Sequence, residues 1–185
     1  MAQVYKKIIK SLFILCILFF ANISFAANLF IQPSQTKVST GNIFNVQVLV
    51  DTVGETINNA ESVINFPADL LEVVSIDKTS IFSLWVVDPN FSNNLGQISF
   101  NGGVPTPGFQ GSSGKIISII FRAKKAGNAS LVFSDSAVRK NDGLGTDILS
   151  AKTGSEIVIS DTSGTTQISN SFAGGVNNAL TINSS

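Results

Sequence analysis

The sequence is poor in the side chains that most enzymes use as nucleophiles, bases or metal ligands. It has no His, one Cys (Cys16), one Tyr (Tyr5) and one Trp (Trp85). A lone Cys cannot form an intrachain disulfide, and the usual zinc sites and His-dependent catalytic arrangements are excluded. An enzyme would have to work through carboxylates alone, and the acidic residues lie on or beside neighbouring strands with no cleft implied. We therefore expect neither catalysis nor a cofactor.

The first 26 residues predict a signal peptide. Three lysines precede an apolar run at 11–21, and Ser24 and Ala26 supply the small residues that a signal peptidase reads. The run is too short to cross a bilayer of roughly 30 Å as a helix. We expect cleavage after Ala26, no membrane span afterwards, and a secreted protein that is extracellular or attached to the cell surface.

Excess charge is also lacking. The chain has 12 basic and 12 acidic residues, and loss of the three leader lysines leaves nine against 12, a net charge of −3. Because no basic patch remains, nucleic acid is not an expected partner. From residue 161 onward, Ser, Thr, Gly and Asn dominate, which indicates a linker or tail at 161–185. The remaining 27–160 is long enough for one domain.

Long segments of helical periodicity are absent from this domain, and short alternating or β-branched runs take their place. Gly, Pro, Asn and Ser separate the runs, as is typical of turns between strands. Nine strands are predicted, at 29–31, 43–51, 57–66, 71–76, 81–87, 97–101, 115–123, 129–133 and 156–160. The pattern predicts an all-β fold, a nine-stranded antiparallel β-sandwich.

The strand predicted at 57–66 has an unusual second face. If Ala60, Ser62 and Ile64 point into the core, the opposite face combines amide, carboxylate and aliphatic groups. The residues on that face are Asn59, Glu61, Val63 and Asn65. A protein-binding surface needs this kind of mixture, an apolar centre with polar groups that fix register. They are candidate partner-binding residues, with ordinary solvated strand positions as the alternative.

Four motifs in series resemble the bacterial cohesin domain. They are G-x-x-F-x-V-x-V-x-V at 41–50, INNAESVINFPADLLEVVSI at 57–76, G-x-I-x-F at 96–100 and GKIISIIFRAK at 114–124. The resemblance covers roughly 29–159. It implies a nine-stranded jelly-roll sandwich without catalytic activity that binds dockerin modules, as in the scaffoldins that assemble polysaccharide-degrading enzymes.

The resemblance also implies a binding surface. In similar cohesins, an Asn and an acidic residue two positions later on the third strand contact the dockerin, and Asn59 and Glu61 occupy those positions here. Asp is common at the second position, so Glu61 is longer by one methylene. The other strands of the binding sheet map to 81–87, 97–101 and 115–123.

Two alternatives and one further site stay open. The sandwich could be a carbohydrate-binding module with a polysaccharide partner, although one Trp cannot build the usual row of stacking aromatics, or a structural or adhesive surface domain. The segment KNDGLGTDIL at 140–149 places the side-chain oxygens of Asn141, Asp142 and Asp147 around two glycines. It lacks the regular acidic spacing of a calcium loop, so we predict no metal, with these three residues as a weak cation candidate.

Overall fold

The computed structural model describes residues 26–161, and strands joined by turns and loops account for its structure. The predicted signal peptide at 1–26 and tail at 161–185 lie outside the described residues, apart from positions 26 and 161. Among the described residues, no helix has the length and hydropathy needed to cross a membrane.

Eleven strands follow one another along the chain. They are β1 (Ala27–Pro33), β2 (Lys37–Ser39), β3 (Ile43–Asp51), β4 (Ile57–Asn65), β5 (Leu71–Asp77), β6 (Leu84–Ser92), β7 (Gln97–Gly103), β8 (Gly114–Ala123), β9 (Gly127–Lys140), β10 (Leu149–Thr153) and β11 (Ser155–Ser160). One sheet has five strands in the order β10-β1-β3-β8-β5. The other has six, in the order β2-β11-β9-β4-β7-β6.

The predicted all-β sandwich is confirmed, with two differences in detail. All nine predicted strands are present, and β2 and β10 are additional. Both form parallel pairs, β2 with β11 and β10 with β1, whereas the sandwich was predicted to be antiparallel. These strands have three and five residues and little buried surface, so neither carries an apolar alternation that the sequence could reveal.

The core lies between the two sheets and follows the alternation of the strands. In β3, Val46 and Val48 are fully buried while Asn45 and Gln47 are only partly covered. The ring of Phe121 on β8 is at the centre of the core. It lies 5.9 Å from the ring of Phe44 on β3 and 5.3 Å, edge-on, from the ring of Phe66, which follows β4 in the other sheet. These rings therefore join the two sheets.

The strand β8 lies inside the five-stranded sheet, next to the edge strand β5. It pairs with β3 on one side and β5 on the other. Ile116, Ile117 and Ile119 are all buried in the core, and Ile116 is the extra residue at a β-bulge opposite Val48 and Leu49.

Candidate functional site

The candidate site lies on the outer face of the six-stranded sheet. Its central strand is β4, which pairs with β9 on one side and β7 on the other. Ala60, Ser62 and Ile64 are buried, as the alternation predicts. The four predicted partner-binding residues alternate with them and are partly exposed on the outer face: Asn59, Glu61, Val63 and Asn65.

Four polar side chains on this face form a continuous hydrogen-bonded chain, the Asn59–Arg139 network. Asn59 Nδ2 donates to Asn101 Oδ1 over 2.7 Å and to the carbonyl of Gly102 over 2.9 Å. Asn101 Nδ2 donates to Glu61 Oε2 over 2.6 Å. Arg139 Nη2 donates to Glu61 Oε1, also over 2.6 Å. Both oxygens of the Glu61 carboxylate are thus engaged within the protein, and its charge is matched by that of Arg139.

The network leaves one polar atom unsatisfied. Asn59 Oδ1 is buried and has no hydrogen-bond partner among the described residues. Two acceptors, Asn101 Oδ1 and the Gly102 carbonyl, face the other side of this amide, so its nitrogen must point towards them. A buried acceptor without a donor costs about 1–3 kcal/mol of stability.

Apolar side chains flank the network. On β6, Leu84 pairs in register with Gly103 and Val87 with Asn101, and these two side chains are 58% and 44% exposed. Together with Val63 and Ser99, Val87 lines a shallow depression of about 290 Å³ that also includes Glu61. The centre of the face therefore combines exposed aliphatic surface with fixed polar groups.

Some residues of this site were not predicted from the sequence. Arg139 lies 78 residues from its partner Glu61, and no local pattern links the two. The mapping of 81–87 and 97–101 to the same sheet as β4 agrees with the structure. The mapping of 115–123 was wrong, because β8 lies in the five-stranded sheet between β3 and β5.

The side chains of the cation candidate contact different parts of the backbone. Asn141 Nδ2 donates to the carbonyl of Pro107, and Asp147 Oδ1 accepts from the amides of Val138 and Leu149. Among residues 26–161, no group of three or more acidic, His or Cys side chains could hold a metal ion.

Asp142, the third residue of the cation candidate, stabilises the loop in which it lies. Its Oδ1 accepts from the Leu144 amide over 2.9 Å. The hydrogen bond from the Thr146 side chain, followed by that from the Leu144 amide, lowers the pKa of the Asp142 carboxyl below its ordinary value. Stabilisation of a bent, glycine-containing loop accounts for these contacts.

Trp85 packs against the protein. Its ring meets that of Phe82 edge-on, with centroids 6.0 Å apart, and lies over Gly102 in the neighbouring strand. The ring is partly buried and packs against the core, as expected for a single Trp in a strand of this kind.

A family model described as the cohesin domain matches residues 29–160 of the chain. Comparison with curated protein sequences finds no match. Solved structures with the same fold include a chain of a type I cohesin–dockerin complex from Clostridium thermocellum. It is 14% identical, with a TM-score of 0.63, and the match covers 75% of this chain and 96% of that one.

Two further structures have similar scores. A non-cellulosomal cohesin from the archaeon Archaeoglobus fulgidus is 15% identical, with a TM-score of 0.60 and coverage of 74% of this chain and 92% of that one. A type I cohesin from Pseudobacteroides cellulosolvens is 21% identical, with a TM-score of 0.59 and coverage of 74% and 94%. At these identities the likeness shows a shared fold.

Proposed function

The chain belongs to the cohesin family, and we propose that it is a non-catalytic docking module that binds a dockerin-type partner through the outer face of the six-stranded sheet. The Asn59–Arg139 network lies at the centre of this face. One of the similar structures is a cohesin–dockerin complex, and the same partner class is proposed for this chain.

The observation that carries the proposal is the composition of the face around β4. Transient protein interfaces need exposed apolar groups at the centre, which supply affinity, and fixed polar groups, which set register. Leu84 and Val87 supply exposed aliphatic surface, and the Asn59–Arg139 network supplies polar groups held in place by one another.

We extend the proposal to the setting of the module. The signal peptide predicted at 1–26 would export the chain, and the tail predicted at 161–185 would follow a domain at 27–160. The module would then work outside the cell or at its surface, and an assembly of polysaccharide-degrading enzymes is the context that fits a dockerin-type partner.

Isothermal titration of the chain with the dockerin modules encoded in the same genome tests the proposal. The double exchange Asn59→Ala with Glu61→Ala is expected to weaken binding at least tenfold, because groups near the centre of an interface contribute most of its affinity. The exchange should cost only about 1 kcal/mol of stability, because Glu61 and Arg139 are each exposed by about a third and water can replace their ion pair.

The matched control is Asn45→Ala with Gln47→Ala, two partly exposed polar residues on β3 in the opposite sheet. This pair should leave affinity unchanged. Equal affinity of the Asn59 and Glu61 double variant and the unaltered chain would remove the assignment of this face. Binding to cellulose or chitin that is lost with Trp85→Ala would instead support the carbohydrate-binding alternative.

A further inference from the structure

The strand β9 contains an irregularity beside the candidate site. Ser62 of β4 pairs with Ser136, and Ile64 pairs with Phe133, so that two residues of β9 lie opposite the single residue Val63. This two-against-one arrangement is a β-bulge, which commonly re-aims a side chain next to a functional surface. The bulged residues are Ser134 and Asp135. The Ser134 hydroxyl donates to the carbonyl of Val63 over 3.2 Å, which ties the bulge to β4.

The bulge brings a second carboxylate to the depression. Asp135 lines the depression together with Glu61, Val63 and Val87. Both oxygens of Glu61 already accept hydrogen bonds, one of them from Arg139. Asp135 is exposed, and its carboxylate has neither an ion-pair nor a hydrogen-bond partner within residues 26–161.

Two other acidic side chains near this sheet form ion pairs. Asp88 on β6 forms an ion pair with Lys78 at 2.9 Å, and Glu55 forms one with Lys140 at 2.7 Å. Glu61 is matched by Arg139, and the Lys152 ammonium at the bulge donates to the carbonyl of Ser134 over 2.6 Å, so the carboxylate of the depression without an ion-pair partner is that of Asp135. The depression therefore favours a cation, and its aliphatic walls favour a cation carried on an apolar stem.

We propose that Asp135 determines partner specificity, and that the bound partner inserts a Lys or Arg side chain into the depression, with its methylene groups against Val63 and Val87 and its charged end at Asp135. This inference rests on the proposed docking function and specifies the chemistry of the partner. Lys and Arg are the side chains that combine an aliphatic stem with a positive end. Glu61 acts differently, as a group fixed inside the network.

The test uses calorimetric titration with each dockerin module that binds the unaltered chain, at low and at high salt. Asp135→Asn should weaken binding about tenfold at low salt, at the lower end of the range for close charge pairs, because this pair is partly exposed. It should also reduce the salt dependence of the affinity. Asp69→Asn is the control, since it removes an equal charge from an exposed position in the turn after β4 and should change neither value.

The partner side is tested by exchanging each exposed Lys and Arg of the bound dockerin for Met, one at a time. One of these dockerin variants should lose as much affinity as Asp135→Asn does. Combining that variant with Asp135→Asn should weaken binding no further. Circular dichroism of Asp135→Asn should match that of the unaltered chain, because the side chain is exposed.

The outcomes separate the two proposals. If a dockerin binds the unaltered chain and Asp135→Asn with equal affinity and equal salt dependence, the role of Asp135 is refuted and the docking function stands. The same holds if no basic residue of the partner reproduces the loss. If no dockerin module binds the unaltered chain, the docking function is refuted, and the inference about Asp135 falls with it.

Discussion

The exchange Gly102→Ala tests the packing beneath the candidate face. Gly102 on β7 pairs in register with Trp85 on β6, and the indole ring lies over its Cα. A Cβ at this position would lie 2.5 and 2.6 Å from Trp85 Cζ3 and Cε3, and 2.9 Å from Phe82 Cδ2. Ordinary contacts begin near 3.4 Å, so the ring must move by nearly 1 Å or the strands must separate.

The expected magnitude follows from two opposing effects. In a strand interior, replacing Gly by Ala ordinarily stabilises by roughly 0.5–1 kcal/mol, because the unfolded chain loses freedom. Forcing an extra methyl group into a packed site typically costs about 1–3 kcal/mol. We expect overpacking to win here, because Trp85 is held between Gly102 and Phe82. The net loss should be about 1–2 kcal/mol, a fall in Tm of about 3–8 °C for a domain of this size.

Thermal unfolding and tryptophan fluorescence provide the assay. Trp85 is the only Trp of the sequence, so its emission reports this site alone. Displacement of the ring towards solvent should shift the emission to longer wavelength. Because the Gly102 carbonyl accepts a hydrogen bond from Asn59 Nδ2, the same variant should also weaken the proposed binding of a dockerin-type partner.

A double-mutant cycle with Trp85→Leu isolates the steric cause. In the Trp85→Leu background, Gly102→Ala should be nearly neutral, giving a coupling of about 1 kcal/mol or more between the two positions. An unchanged Tm together with an unchanged emission maximum in the single variant Gly102→Ala would refute the reasoning. So would an equal loss of stability in both backgrounds.

Three further predictions concern the core and the 140–149 loop. Phe121→Ala should lower the free energy of unfolding in urea by about 3–5 kcal/mol, with Phe121→Leu costing clearly less, and a loss below 1 kcal/mol would contradict its central position. Hydrogen bonds from Thr146 and Leu144 lower the pKa of Asp142, so its stabilising contribution should be present above the unfolded pKa and disappear as the pH falls through the folded one. A carbon-13 NMR titration should show that Thr146→Ala raises this pKa, and an unchanged midpoint would contradict the assignment. Millimolar calcium should leave Tm unchanged, whereas a rise of several degrees would show a cation site in this loop.

The fold was predictable because its main strands carry their own alternation. The run FNVQVLV predicts which side chains of β3 enter the core, and the structure buries Val46 and Val48 as expected. The strands β2 and β10 were not predicted, because they form only by pairing with strands from distant parts of the chain. β2 is held by β11 and β10 by β1, and these parallel pairings depend on the assembled sandwich.

Only the part of the candidate site that lies on β4 could be predicted from the sequence. Alternation correctly placed Asn59 and Glu61 on the outer face, because side-chain direction within a strand has a fixed period. The partners of Glu61 could not be predicted, since Asn101 and Arg139 reach it through the registers of β7 and β9. The position of Asp135 could not be predicted either, because it depends on a β-bulge that shifts the pairing of β9 with β4 by a single residue.

The pairing of the first and last strands determines how the domain responds to tension. β1 is hydrogen-bonded on both sides, to β3 and β10, and β11 is hydrogen-bonded on both sides, to β2 and β9. Because these bonds run across the strands, a pull along either strand places two whole ladders in shear, and their bonds must break together. A module that holds a partner on β4 and is pulled through either end would therefore resist mechanical unfolding.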